Sequence, residues 1–343
     1  MMLGMWTVIA AVSAFAIAAV MGLWLVPFLK KLHFGQTILQ EGPKWHGGKQ
    51  GTPTMGGFMF ITASLLVTVV CVLLYYMTAD INPPETRLET IKIFAGLFLA
   101  LASGFIGFID DYIKVVKKRN LGLTAKQKLI LQFLVAISYL VTLWLSGAST
   151  ATFIPFVGSV DIGLIYWPLA AIVIVGMTNA VNLTDGIDGL NGSVTFFAAI
   201  FFMLIAGSMG RMGFSIEAAA LAGGCLGFLM WNFHPAKVFM GDTGSLFLGG
   251  FVCALAFGMN IPILLLLLGF IYLAEMFSVI LQVTYFKLTH GKRLFKMSPI
   301  HHHFEMCGWS EVKIVAVFSM ITAVFGAGAF LLVLFGNGTV PIA

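Results

Sequence analysis

The chain has 343 residues, of which 59% are apolar and only 10% charged, and it carries a formal charge of +5 at pH 7. An ordinary soluble domain has about 25% charged residues, so this composition excludes a water-exposed globular surface. The net charge selects no partner by itself, and the information lies in where the charges sit.

Taken in chain order, ten apolar stretches are each long enough to cross roughly 30 Å of hydrocarbon. They lie at about 5–29, 54–78, 92–112, 127–147, 165–184, 190–209, 216–234, 243–261, 263–286 and 312–336. Backbone groups in lipid must be satisfied within their own segment, which predicts helices, and none of the stretches alternates as β-barrel strands do. The first has no basic residue before it and no small-residue cleavage site, so it reads as a retained span and not as a signal peptide. The expectation is an all-α polytopic membrane protein with residues 1–343 as a single domain. The loops after spans 1, 3, 5, 7 and 9, with their flanks, hold all but three of the 19 Lys and Arg residues, the exceptions being Arg87, Lys92 and Arg211. The excess of positive charge predicts that these loops face the cytoplasm and that both termini face outward. All seven histidines fall on the same side. The outer loops carry only scattered acids (Asp80, Glu85, Glu89, Asp161, Glu217) among turn residues.

The candidate motifs are cytoplasmic. Gly51-Thr-Pro-Thr-Met-Gly-Gly57 is a glycine-rich entry to span 2, weak alone. Asp110 and Asp111 end span 3, where two carboxylates oppose the helix dipole and sit near the hydrocarbon edge. A solvated helix end balanced by Lys114, Lys117 and Lys118 is the plain alternative, and a bound cation relieves the strain better. Lys44, Lys49, Lys117, Lys118, Arg119, Lys126 and Lys128 make basic loops that set topology, meet anionic lipid or hold a polyphosphate. Asn179, Asn182, Asp185 and Asp188 recur every third residue, which keeps them on one slowly rotating helix face, and Gly186 and Gly189 predict an irregular turn. A polar turn with Asx caps is the alternative there. Phe239-Met-Gly-Asp-Thr-Gly-Ser245 precedes span 8 and reads equally as a helix cap or as a backbone cradle for a ligand. Glu275 falls inside span 9, where an intramembrane carboxylate is a functional candidate; its distance from the loops favours a buried hydrogen bond between helices. In Ser298-Pro-Ile-His-His-His-Phe-Glu305, consecutive histidines point in different directions, so phosphate or sugar oxygens suit them better than one metal. A solvated loop is the alternative.

The four cysteines, Cys71, Cys225, Cys253 and Cys307, form no CxxC pair and read as packing residues. With no thiolate cluster and no His–Glu pair at helical spacing, zinc is disfavoured. Carboxylates and an Asn suit Mg²⁺. Mg²⁺, lysines and glycine turns beside a bilayer suggest phosphoryl chemistry between a soluble nucleotide and a lipid.

At these motifs the sequence resembles the phospho-N-acetylmuramoyl-pentapeptide transferase family. The likeness covers essentially all ten spans and is carried by Gly51–Gly57, Asp110-Asp-Tyr112, Asn179–Leu190, Phe239-Met-Gly-Asp242 and Pro299-Ile-His-His-His303. The last motif separates this branch from related polyprenyl-phosphate N-acetylhexosamine-1-phosphate transferases. The resemblance implies UDP-MurNAc-pentapeptide and undecaprenyl phosphate as substrates, lipid I and UMP as products, Mg²⁺ as cofactor, a homodimer, and a place in the bacterial cytoplasmic membrane. It implies that Asp242 is the main metal ligand with Asn182 and Asp185 beside it. Asp110, Asp111 and His302 join Asp242 as catalytic residues. Lys49, Thr54, Lys118, Lys126, Asn179, Asn182, Asp185, Gly186, Ile187, Asp188, Phe239, His301 and His303 line the substrate, with Phe239 stacking on uracil. Two other readings stand beside it. One is a sister transferase that uses UDP-N-acetylglucosamine; the other is an ion-coupled transporter with Glu275 and the inner acids as ion sites, against which the absence of an evident repeat counts.

Overall fold

The computed structural model describes residues 2–32, 49, 51–78, 83–117 and 121–336. Lys118, with Lys44, His46 and Arg119, lies outside the described residues. The described chain forms helices α1 (Met2–Lys31), α2 (Phe58–Thr78), α3 (Pro83–Val116) and α4 (Ala125–Leu145), then a small hairpin of β1 (Ala151–Ile154) and β2 (Gly158–Asp161). Helices α5 (Tyr166–Leu183), α6 (Leu190–Ser208), α7 (Met212–Asn232), α8 (Gly241–Gly258), α9 (Leu265–Leu268), α10 (Phe270–Leu288), α11 (Ile300–Glu305) and α12 (Glu311–Phe335) follow. Ten of them are long and apolar enough to cross a membrane, in agreement with the sequence reading of a polytopic helical protein.

Helices α7 and α8 are almost wholly buried and form the centre, whereas α1, α4 and α10 leave most of their apolar surface outward, as lipid contact requires. Around this centre α1, α2 and α6 lie on α7, and α3 and α5 lie on α8. Lipid gives helices no hydrophobic reason to associate, so close approach through small residues matters. Gly107 of α3 is the decisive instance. It rests directly on the backbone of Asp242, where any Cβ would overlap the Asp242 carbonyl. That approach brings the turn after Gly107, which carries Asp110 and Asp111, onto the first turn of α8.

Three features differ from the sequence reading. Residues 51–57 do not continue span 2. They form an irregular turn paired with 238–240, with Gly56 N donating to Phe239 O (2.8 Å), Phe239 N to Pro53 O (2.8 Å) and Gly57 N to Met240 O (3.2 Å). This pairing ties two motifs together before α2 begins at Phe58. The ninth span is not one straight helix. It breaks at Gly269, between α9 and α10, so Glu275 sits in the second turn of a new helix and not deep within an old one. The loop after α4 is also not featureless. It forms an antiparallel hairpin with Ala151 opposite Asp161 and Ile154 opposite Gly158, docked by Phe153 N onto Asn260 O at 2.9 Å.

Candidate active site at the helix mouths

The first four N–H groups of a helix lack intrahelical acceptors. At α8 that need is met by Asp111 of α3. Its carboxylate accepts the backbone N–H groups of Asp242 (3.2 Å) and Thr243 (2.9 Å) and the Thr243 hydroxyl (2.7 Å). A negative charge at this end also complements the helix dipole. Both Asp111 oxygens thereby bind α8, with Oδ1 also 4.0 Å from Lys114 Nζ, so that Asp111 fixes Asp242 in place. Thr54 lies at the same joint, buried beside Gly241 together with Asp111.

The Asp242 carboxylate, by contrast, meets only side chains among the described residues. Its Oδ2 lies 2.8 Å from Lys114 Nζ and 3.2 Å from Lys128 Nζ, and its Oδ1 accepts from Asn182 Nδ2 at 2.8 Å. Asn182 also donates to Ser245 Oγ (2.7 Å) and accepts from Lys128 Nζ (3.2 Å). Lys128 is set at this point by α4, whose start is fixed by a capping box between Thr124 and Gln127. Asp110 completes the group. It is buried, with Oδ2 2.6 Å from Lys114 Nζ and Oδ1 accepting Leu123 N at 2.8 Å. One oxygen each from Asp110, Asp111 and Asp242 lie within 4.8 Å of one another.

Asp185 stands between this group and the next. Burial first, then the carboxylates of Asp242, Asp111 and Asp188, hold its carboxyl well above the usual carboxylate range. Among the described residues its side chain has no hydrogen-bond or ion-pair partner. The carboxylates that converge, Asp110, Asp111 and Asp242, together with the Asn182 amide beside Asp242, offer oxygen donors and no thiolate or imidazole. That chemistry fits a hard divalent cation such as Mg²⁺, and a cation would answer the unpartnered Asp185.

A second acidic group lies one turn along the same loop. Asp188 is nearly inaccessible, with Oδ1 2.7 Å from Lys49 Nζ and Oδ2 facing His234 Nδ1 (3.1 Å) and Ala236 N (3.0 Å). Glu311 joins it, with Oε2 2.6 Å from Lys49 Nζ and accepting Asp188 N at 3.0 Å. Ile187 is buried beneath this loop, and Phe239, held by its backbone pairing to 53–56, is half-buried.

The three histidines part company, as consecutive residues on a helix must. His301 is fully buried, with Nδ1 3.0 Å from Glu275 Oε2. Its ring lies so close on Gly186 that no side chain fits there. Glu275 therefore does make a buried hydrogen bond, and the partner is a loop histidine of the motif. His302 Nδ1 lies 2.6 Å from Glu305 Oε2, and its ring centroid lies 4.1 Å from that of His301 with the planes tilted by 57°. His303 turns away, accepting Lys296 N at 3.1 Å.

The structure thus joins Asp110, Asp111, Asp242 and Asn182 in one group, Lys49 and Asp188 in a second, and His301 and Gly186 in a contact between them. Asn179 is elsewhere. Its amide pairs with Gln132 of α4 (2.7 and 3.3 Å) and with Val175 O (2.8 Å). Lys126 is exposed on the outward face of α4, beside an apolar groove of Leu129, Ile130 and Phe133. Glu311 and His234 are not singled out by sequence reasoning, and Glu305 enters it only as the end of the histidine motif. Glu311 follows Ser310 at the start of an apolar span and looks like a first-turn acid, while His234 offered only its place on the basic side.

Comparison with known proteins places the chain among enzymes. The model of the glycosyl transferase family 4 matches residues 93–260. A phospho-N-acetylmuramoyl-pentapeptide-transferase of Clostridium perfringens is 48% identical over 324 residues, 94% of this chain and 95% of that one. The enzymes of the same name from Heliobacterium modesticaldum and Caldanaerobacter subterraneus are 47% and 45% identical, each over 92% of this chain and 95% of their own.

Proposed function

The chain belongs to the phospho-N-acetylmuramoyl-pentapeptide-transferase family, and on that premise we propose that it transfers phospho-MurNAc-pentapeptide from UDP-MurNAc-pentapeptide to undecaprenyl phosphate, releasing UMP and forming lipid I. The observation that carries the reading, beside the family, is the gathering of Asp110, Asp111 and Asp242 with Lys114, Lys128 and Asn182 at the helix mouths. The reaction takes place at the cytoplasmic face of the bacterial inner membrane, both termini lie outside, and the enzyme works as a homodimer. Support for the orientation is the concentration of basic residues in the loops that carry the site.

In this reading an oxygen of the lipid phosphate attacks the sugar-bearing phosphorus of the nucleotide. A new P–O bond forms as the bond to UMP breaks, and UMP leaves with the electron pair. A phosphate monoester has a second pKa of about 6, so the lipid phosphate is largely dianionic at neutral pH and has little proton to give. Asp110 is buried and already holds Lys114 and Leu123 N. We assign it to positioning Lys114, not to proton abstraction. Lys114 and Lys128 stabilise charge on the transferring phosphates. Asp242, Asn182 and Asp185 would hold Mg²⁺, which when bound supplies neutralisation of the diphosphate. Lys49 and Asp188 receive the nucleoside half with Phe239 against the uracil. His301, His302 and His303 border the sugar and phosphate.

The test is UMP release by purified protein in detergent with undecaprenyl phosphate, comparing UDP-MurNAc-pentapeptide with UDP-N-acetylglucosamine, each with Mg²⁺ and with EDTA. Mg²⁺-dependent release from the muramyl substrate alone is expected. Release from the simpler sugar would move the chain to the sister activity, and no release from either would sink the reading.

A further inference from the structure

Glu311 opens α12, where Ser310 caps the helix by accepting Lys313 N at 3.3 Å. A first-turn acid ordinarily serves the dipole of its own helix. This one reaches out of α12 instead. A single oxygen, Oε2, takes Lys49 Nζ at 2.6 Å and Asp188 N at 3.0 Å and lies 3.8 Å from His234 Nδ1. Four segments far apart in sequence therefore meet at one carboxylate, which is only 9% exposed, so water is a poor substitute for what it provides.

Two consequences follow from the geometry. Holding the Asp188 N–H fixes the backbone that aims the Asp188 carboxylate at Lys49, His234 and Ala236. Holding the Lys49 ammonium at 2.6 Å, together with Asp188 at 2.7 Å, restrains that long, flexible chain at two points. Ordering such a side chain in advance lowers the entropy that ligand binding must otherwise overcome. We infer that Glu311 is a positioning residue for the nucleotide substrate, acting through Lys49 and the Asp188 backbone without touching the reacting atoms. The inference rests on the reading that Lys49 and Asp188 receive the nucleoside half.

The experiment is steady-state UMP release by the full-length protein across UDP-MurNAc-pentapeptide concentration, for wild type, Glu311→Gln, Lys49→Met and the double variant. Glutamine keeps an acceptor for Asp188 N but loses the charge toward Lys49. Glu311→Gln is expected to raise KM about tenfold with kcat within about threefold, the pattern of lost uniform binding. In the Lys49→Met background it should add less than about twofold, because partners in one network are non-additive. Glu311→Asp, which keeps the charge one methylene short, should fall between wild type and Glu311→Gln, and it carries the test if the glutamine variant does not fold. A fall in kcat at unchanged KM, or an effect that multiplies in full with that of Lys49→Met, would overturn the role. If Lys49→Met itself leaves KM unchanged, the inference falls with the nucleotide reading, and the cause is identified as that reading.

Discussion

The two acidic groups of the site, 110/111/242 and 188/311, look alike in composition and differ in what their oxygens hold. Each combines carboxylates with lysine, and each has ligand atoms within 4.8 Å of one another. At Asp188 and Glu311 the acids grip backbone N–H groups as well as Lys49, and they are nearly closed to solvent. In the other group the labour is divided. Asp111 takes backbone donors, whereas Asp242 meets the side chains of Lys114, Lys128, Asn182 and Asp110 and stays partly open, at 19% exposure. A carboxylate bound to backbone is fixed by the fold. One bound to ammonium groups and an amide can exchange them for a metal ion or release them to a phosphate. On the proposed function, the difference would separate a group that exchanges partners during the reaction from one that holds a binding surface in place.

The sharpest way to break this comparison is to neutralise one acid in each group. Asp242→Asn removes the charge that faces the lysines and any cation while keeping the shape. UMP release at saturating substrate should fall about a thousandfold, or about 4 kcal/mol in the barrier at 1.36 kcal/mol per tenfold, with the melting temperature nearly unchanged. Asp188→Asn should act chiefly on the KM for the nucleotide, since it loosens Lys49 and His234. If both variants lost kcat to the same degree, the two groups would be one catalytic unit and the division drawn above would be wrong.

Asp110 offers a test of intermediate size. It sits in the exchangeable group yet is committed to Lys114 and Leu123 N. Asp110→Asn should lower the rate roughly tenfold at neutral pH through a misplaced Lys114, a loss smaller than the roughly hundredfold or more that a proton-transferring group contributes. The loss should persist into alkaline solution, because a phosphate with a second pKa of about 6 gains no further ionisation there. Strong recovery of the variant's rate at high pH would restore the proton-abstracting role.

The ten spans were legible because apolar length and alternating loop charge are properties of the sequence itself. The acids were legible as candidates because charge at a hydrocarbon edge demands a reason. What each one does was not. Asp111 and Asp242 are both aspartates near the ends of apolar spans, and only the contact at Gly107, where α3 lies on the α8 backbone, decides that one caps and the other is free to serve. The break at Gly269 was hidden because a glycine inside an apolar run also suits an unbroken span. Glu311 was hidden because its partners lie 123 and 262 residues away, while its local setting is that of any first-turn acid.

Asn179 gives the smallest expected effect. It lies one turn before Asn182 on the same face of α5, and three-residue spacing alone groups the two. Their surroundings separate them. The Asn182 amide points to Asp242 and Ser245, while that of Asn179 closes a pair with Gln132, which is 4% exposed. Asn179→Ala therefore strands a buried amide on α4 and should cost about 1–3 kcal/mol of stability, with UMP release within about threefold of wild type. Gln132→Ala should cost a similar amount, and the double variant less than the sum, because removing both partners leaves no stranded group. Thermal melts of the four proteins measure the coupling. A hundredfold loss of activity in Asn179→Ala at unchanged melting temperature would instead put Asn179 on the substrate. The reactive face of α5 would then extend a full turn deeper into the membrane than Asn182.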